Sequence, residues 1–441
     1  MLKITPPEGA LHIINELSRR GHRTLLAGGC VRDGLMGRKP MDWDIASGAD
    51  PSEVARLFER TKTVGAKFGV VLVVLPVGEY EVTRFRSEGA YLDGRHPSTV
   101  HPTGEKEDAW RRDFTINGLF YDPIAEKIID YVGGQEDINK RLVRSIGDPV
   151  RRFEEDHLRL LRAVRFAARF DYTIEDQTFA AAKKLAFRIR RTSAERVRDE
   201  LTMMLTGPNP VQAFELLRKT GLLQEVLPEV GKMTGVEQPP QFSSEIDVWT
   251  HVMKVLAQLH DPSPVLAWAA LLHDVGKPAT YAAENQFCFN GHAVAGARIS
   301  REICERLKMP RVMVDRLCYI VMDHMKFINI KNMRESTLKR FLREKYFLEL
   351  LELHRAGCLA SQKNLATHDF CIKMLAGMAK KDLHPARILD GSDLVAMGFK
   401  QGPPLGEILF ALESEQLEGQ VRTRGEAKAF VNKRFGALRI G

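Results

Sequence analysis

The chain has 441 residues, of which 44% are hydrophobic and 28% charged, with a formal net charge of +8 and a pI near 9.1. That length allows about three domains, and the composition is that of a globular protein, which excludes fibrous and disordered classes. The basic balance favours an anionic partner, and nucleic acid is the commonest one.

The first 21 residues, MLKITPPEGALHIINELSRRG, have no long apolar core and fit an amphipathic first helix. No stretch approaches the ~20 apolar residues of a helical membrane span. The cysteines, Cys30, Cys288, Cys304, Cys318, Cys358 and Cys371, show no paired spacing, as expected for reduced thiols in a cytoplasmic, soluble protein.

Residues 25–46 read LLAGGCVRDGLMGRKPMDWDIA, the pattern of a strand, a glycine turn, a short helix and a second strand. Gly28 and Gly29 let backbone approach a ligand closely, and a helix starting near Cys30 offers free N–H groups to a phosphate. Asp42 and Asp44 flank Trp43. On a strand, residues two apart share a face. Two adjacent carboxylates repel, and a hard divalent ion such as Mg²⁺ relieves the repulsion. A phosphate-cradling turn beside a carboxylate pair is apparatus for nucleotidyl transfer. Taken singly, each element is also an ordinary turn or a solvated strand edge.

Val70 to Leu75 is a continuous β-branched run, predicted as a buried strand, and Tyr80 to Phe85 returns as its hairpin partner. Glu81 is a candidate third carboxylate, and an exposed strand glutamate explains it equally well. The polar, glycine-rich segment SEGAYLDGRHPSTVHPTGEKED predicts a long functional loop. Arg111 and Arg112 then open RRDFTIN, where guanidinium groups suit triphosphate oxygens and Thr115 and Asn117 order the backbone.

From about Arg151 the pattern is helical. Residues 155–166 predict one amphipathic helix with Asp156, Arg159 and Arg162 on one face. An Asp acceptor beside an Arg donor complements the edge shared by cytosine and adenine and mismatches guanine and uracil. An ion-paired helix surface is the simpler alternative. TSAERVRDEL, from Thr192, starts with an N-cap candidate and is assigned to structure and RNA contact. Further on, Leu271 to Lys277 reads LLHDVGK, with His251 upstream and His292, Asp323 and His324 downstream. Mixed imidazole and carboxylate donors suit Mn²⁺, Ni²⁺ or Co²⁺ better than Mg²⁺. In the tail Asp393 is a candidate cap, and Lys400, Arg422 and Arg424 are candidate phosphate contacts.

These motifs together resemble the class II CCA-adding tRNA nucleotidyltransferases and the related bacterial poly(A) polymerases. AGGCVRDGLMGRKPMDWDIA, FGVV, EVTRFR, DGRHPSTV, RRDFTINGLFYD and EEDHLRLLRAVRFAARF carry the resemblance, in family order, over the first half of the chain. It implies an α/β head with a mixed or antiparallel sheet (residues 1–146), then an elongated all-α neck (147–225), HD body (226–370) and tail (371–441). It also implies template-independent addition of C, C and A to tRNA 3′ ends from CTP and ATP by two-metal transfer. In that scheme Asp42 and Asp44 hold Mg²⁺, Gly29 and Arg32 contact the triphosphate, and Arg112 binds nucleotide. Asp156 and Arg159 read the base, Arg162 and Arg165 support nucleotide and primer, and the DGRHP loop assists the switch from C to A.

The HDVGK string resembles the HD phosphohydrolases. That likeness implies a metal held by residues among His251, His273, Asp274, His292 and His324, with phosphodiesterase or phosphatase activity. The tail resembles the RNA-contacting end of HD-containing members. No membrane and no obligate protein partner are expected. The motifs leave open poly(A), CC-only and A-only products. They also leave open an HD phosphohydrolase with an RNA-binding head, and a tRNA chaperone without enzymatic activity.

Overall fold

The structure is a computed structural model that describes residues 4–64, 69–89, 91, 94, 98–238, 247–281, 289–361 and 364–439. The chain divides into two compact units, Met1–Gly231 with Glu305–Met309, and Lys232–Cys304 with Pro310–Gly441. Among the described residues no helix is long and apolar enough to cross a membrane.

The first unit is built on strands β1 (Thr24–Ala27), β2 (Ile45–Ser47), β3 (Thr61–Val64), β4 (Val70–Leu75) and β5 (Gly78–Arg84). A small hairpin of β6 (Arg86–Glu88) and β7 (Val100–Pro102) follows, then β8 (Leu119–Asp122) and β9 (Lys127–Asp130). Seven of these form one sheet in the order β3-β4-β5-β2-β1-β8-β9, with β2 and β5 parallel and the other pairs antiparallel. β1 lies inside the sheet and is apolar on both faces, as a strand covered on both sides must be. Leu25 and Leu26 are fully buried, and Leu26 pairs with Ile45 on one side and Tyr121 on the other.

Three expectations change in detail. β4 is buried only at Val71 and Val73; one strand from the sheet edge, its alternate side chains remain half-exposed. Asp42 and Asp44 precede β2 rather than lying on it. Residues 155–166 are not one helix: helix Pro149–Glu155 ends, and a new helix runs from Arg159 to Phe170. The break is at Asp156, whose carboxylate accepts the N–H of Leu158 at 3.1 Å, a local bond that competes with helix continuation. The family-loop motif falls largely outside the described residues, only Tyr91 and Gly94 of YLDGRHP being among them, and so does Phe68 of FGVV.

Among the described residues the second unit is helical except at isolated bridges. Helices Val248–Ala257, Pro264–Leu272, His292–Arg306, Arg311–Asp323 and Phe347–Ala360 carry its metal-ligand candidates and cavity wall. A separate apolar cluster (Leu389, Leu394, Phe399, Ile408, Leu412, Val421, Ala427 and Val431) supports the tail. Its helix starts are secured by capping boxes at Asp390/Asp393 and Thr423/Glu426. Asp390 is therefore the cap expected at Asp393, which supplies the reciprocal bond.

Gly276 of HDVGK is required by close approach. A Cβ there would lie 2.1 Å from the carbonyl oxygen of His292 and 2.5 Å from the nitrogen of Gly296, so a side chain would push helix His292–Arg306 away. Gly276→Ala is expected to cost about 2 kcal/mol or more of stability, as overpacking against backbone does. Hydrogen exchange of Lys232–Cys304 should rise in the variant, and unchanged protection there would refute the packing argument.

Candidate active site and metal cluster

The first site is a pocket of about 740 Å³ within the first unit. Its floor is the turn after β1. Gly28 adopts φ +70°, where a Cβ would meet Arg112 Nη1 at 2.6 Å, so only glycine lets this guanidinium close over the turn. Asp42 and Asp44 line the same pocket. The Asp44 carboxyl is pushed up by desolvation and by the charge of Glu81, with Arg112 opposing and Asp42 adding to the rise. This unneutralised negative cluster is the donor chemistry a hard divalent cation fits.

Around it stands a set of arginines, each fixed by a carboxylate. Asp108 is buried and accepts from Arg111 Nε at 2.9 Å and from Arg112 Nη2 at 3.0 Å. Burial pushes Asp108 up, but Arg112 and Arg111 outweigh it and hold the carboxyl below its usual range. Arg112 also lies over the Phe120 ring at 5.0 Å. Asp113 accepts from Arg162 at 2.7 and 2.8 Å and from Asn117 Nδ2 at 2.9 Å. Its burial is likewise outweighed, chiefly by Arg162, so it stays ionised. Arg165 donates to the buried Glu200 at 2.6 Å. Arg32 is buried, donating to Asp33 Oδ1 at 2.8 Å and to Asn117 Oδ1, with its guanidinium 4.5 Å from the Phe170 ring centre.

The candidate base readers sit at the helix break. Arg196 Nη2 and Nη1 donate to the two Asp156 oxygens at 3.0 and 3.3 Å. Arg159 Nη1 donates to Glu155 Oε2 at 3.0 Å and to the Arg152 carbonyl at 2.9 Å, and its Nη2 donates to the Arg111 carbonyl at 3.3 Å. All of the first-half candidates, Gly29, Arg32, Asp42, Asp44, Arg112, Asp156, Arg159, Arg162 and Arg165, therefore line one pocket. Sequence reasoning overlooked Asp108, Asp113, Arg196 and Glu200 as the groups that hold them. The charged run ERVRDE was the signal for Arg196 and Glu200, but nothing in it identifies their long-range partners.

The second site lies within the second unit, at one wall of a cavity of about 620 Å³. Its centre is Asp274, surrounded by His273 Nε2 at 3.3 Å, His292 Nε2 at 3.6 Å, and His251 and His324 Nε2 both at 3.8 Å. The Nδ1 atoms of His273, His292 and His324 donate to the carbonyls of Ala270, Phe289 and Val321 at 2.8, 2.8 and 2.6 Å. These bonds fix the tautomer and turn the free Nε2 lone pairs inward. Desolvation and the neighbouring His273 push His324 down to about 3. Burial opposes ionisation of Asp274, but Lys277 and His273 hold its carboxyl well below the usual range. A depressed imidazole at His324 beside an ionised Asp274 suits a divalent-metal site. Asp323 is not in either cluster; it pairs with Lys326 at 2.6 Å.

Family models match three segments: a Poly A polymerase head domain over residues 24–144, a probable RNA- and SrmB-binding site of polymerase A over 171–233, and an HD domain over 248–360. The A-adding tRNA nucleotidyltransferase of Deinococcus radiodurans is 32% identical over 430 residues, covering 92% of this chain and 94% of that enzyme. This chain belongs to the tRNA nucleotidyltransferase family. The CCA-adding enzyme of Bacillus velezensis is 42% identical over 218 residues, which cover 49% of this chain and 55% of that relative, so the match spans about half of it. The crystal structure of the Bacillus stearothermophilus CCA-adding enzyme in complex with CTP superposes with a TM-score of 0.72 at 27% identity, covering 98% of both chains. The mixed-sheet head and helical HD-containing remainder expected from the motifs are the fold of this family.

The cavity wall opposite the metal cluster includes His354, stacked on Phe327 at 4.2 Å. Desolvation, with a small contribution from His368, pushes His354 down to about 4. Between pH 4 and about 6.5 the unfolded chain binds a proton here that the folded chain does not, so stability falls as pH is lowered through this window. The residue's share is at most about 1.4 kcal/mol per pH unit. A plot of urea midpoint stability against pH should be shallower by one proton in His354→Gln, and an unchanged slope would contradict the assignment.

Proposed function

We propose that this protein extends the 3′ ends of tRNA, taking CTP and ATP in a fixed order to build CCA without a nucleic-acid template. The observation that carries the reading is the meeting, in one pocket, of the Gly28–Gly29 turn, the Asp42/Asp44 pair and the Asp156/Arg159 pair. The relatives named for CCA addition and for A addition support it. We assign residues 1–146 to the head, 147–225 to the neck, 226–370 to the HD body and 371–441 to the tail, and expect the enzyme to work in the cytoplasm.

In this reading Asp42 and Asp44 would hold Mg²⁺, with Glu81 as a third carboxylate. The ion supplies charge neutralisation on the transferring phosphate. The Gly29 N–H and the guanidinium of Arg32 face the triphosphate oxygens, and Arg112, locked by Asp108, adds a second cation on that side. Asp156 accepts from the exocyclic amino group of cytosine or adenine, while Arg159 donates to the adjacent ring nitrogen. Guanine and uracil present the reverse pattern and would leave buried groups unpaired, at about 1–3 kcal/mol each. Arg162 and Arg165, held by Asp113 and Glu200, remain in place to steady nucleotide and primer. The tRNA 3′-oxygen attacks the α-phosphorus as the bond to pyrophosphate breaks, so the charge on the α-phosphate oxygens develops beside fixed guanidinium groups.

A second reading is favoured by the A-adding relative matched over most of both chains: addition of the terminal A alone. Extension of tRNA transcripts ending before CCA, after C and after CC, each with CTP, ATP or both, separates the products. Ordered addition stopping at CCA is expected, A alone on the CC-ended transcript would favour the second reading, and long A tails would make it a poly(A) polymerase. Asp42→Ala and Asp44→Ala should each lower extension by about 10³-fold or more, the scale of losing a metal ligand in such chemistry. Extension at the normal rate would remove the carboxylates from the mechanism.

We further assign a Mn²⁺, Ni²⁺ or Co²⁺ centre and phosphate-ester hydrolysis to His251, His273, Asp274, His292 and His324, supported by the inward-turned Nε2 atoms. Arg196 holds Asp156, so Arg196→Ala should raise GTP or UTP misincorporation relative to CTP and ATP by about tenfold, the discrimination of one buried hydrogen-bond pair. Unchanged selectivity would show that Asp156 does not depend on it.

A further inference from the structure

Nine arginines line the catalytic pocket, and eight of them have a carboxylate oxygen within 3.3 Å. Arg169 is the ninth. It stands one residue before the end of helix Arg159–Phe170 and is partly exposed. Among the described residues its side chain has neither an ion pair nor a hydrogen bond, and its guanidinium carbon lies 5.4 Å from the centre of the Phe170 ring. Arg32 and Arg38 approach that same ring at 4.5 and 5.2 Å. Among the described residues the carboxylate paired with any of these three cations is Asp33, on Arg32.

Three guanidinium groups around one ring repel, and the charge of Arg169 bears directly on Arg32. Stacking on an aromatic face holds an arginine in place without cancelling its charge. Three cations against one carboxylate leave two positive charges over. A multiply charged anion relieves that repulsion, and the guanidinium fork matches phosphate oxygens with two parallel bonds.

The helix indicates which phosphates. Arg159 and Arg169 are ten residues apart, about 15 Å along the axis at the usual rise per residue. With the base read at Asp156 and Arg159, that distance suits the far end of the triphosphate, which Arg32 faces. The primer has Arg162 and Arg165 in the same reading.

We propose that Arg169 binds the terminal phosphates of the incoming nucleotide and the pyrophosphate released from it. The proposal rests on the tRNA-extension reading above. An arginine with no carboxylate of its own gives its whole charge to the anion, and is left uncompensated again once pyrophosphate departs.

The test uses the full-length protein with Arg169→Ala, Arg169→Gln and Arg169→Lys, in Mg²⁺ buffer. Equilibrium dialysis gives the Kd of inorganic pyrophosphate and of AMP, which lacks the terminal phosphates. Steady-state extension of a tRNA ending in CC gives the KM for ATP and for tRNA. Arg169→Ala and Arg169→Gln should raise the pyrophosphate Kd and the ATP KM about tenfold, the scale of one hydrogen bond to a charged group. The AMP Kd and the tRNA KM should stay as they are. Arg169→Lys should lose only a few-fold, since it keeps the charge without the fork.

An unchanged pyrophosphate Kd would overturn the proposal, and so would an equal rise for AMP, which would place Arg169 at the α-phosphate or base. A raised tRNA KM with pyrophosphate binding intact would assign it to the primer backbone and overturn it as well. Equal losses in all three variants with lowered melting temperatures would make it a packing residue of Phe170, with the same consequence. Pyrophosphate binding that depends on Arg169 in a protein that extends nothing would sink the extension reading alone. Extension by a protein that binds no pyrophosphate would sink this proposal alone.

Discussion

A guanidinium can stand at a fixed point in a partly buried pocket only when a carboxylate beside it offsets the cost of leaving water. The first unit depends on this pairing. Arg111 and Arg112 share Asp108, Arg162 is held by Asp113, Arg165 by Glu200 and Arg159 by Glu155. Removing one partner of such a pair strands a buried charge, at about 3–5 kcal/mol. The pocket thereby presents cations already oriented, and no reorganisation is needed when negative charge develops. The exception is the acidic side. Asp42, Asp44 and Glu81 repel, as the raised Asp44 carboxyl shows, and that unrelieved repulsion is what a divalent ion answers.

The candidate metal cluster of the second unit uses the opposite device. There the carboxylate Asp274 is the centre and the imidazoles are the shell, three of them, His273, His292 and His324, oriented by a backbone carbonyl instead of another side chain. Backbone oxygens at helix ends are rigid, so the Nε2 atoms need no further support. Gly276 completes the arrangement by letting helix His292–Arg306 reach the HD turn. The string HDVGK thus combines a candidate ligand pair, a packing glycine and a lysine that contacts Asp274 at 2.7 Å.

Much of this was legible in the chain. β1, its glycine turn and the β4–β5 hairpin followed from apolar runs and turn residues, and the helical character after Arg151 followed from periodicity. The break at Asp156 was not legible, because the run around it is helix-forming throughout and only the competing bond to Leu158 N–H reveals it. The half-exposure of β4 was also hidden, since a β-branched run reads the same in a central strand as in one near the edge. Arg196 read as neck surface because its partner, Asp156, lies 40 positions away.

By itself the sequence determined which residue types were available and their local order: a glycine turn, paired acids, arginine-rich motifs, and histidines near an HD step. Such signals are short-range, carried by backbone freedom and hydrophobic period. Tertiary structure alone decided which carboxylate neutralises which arginine, and which imidazoles converge on Asp274. These are matters of burial and distance between remote positions, and electrostatic and hydrogen-bond energies depend on both in ways that no local pattern encodes.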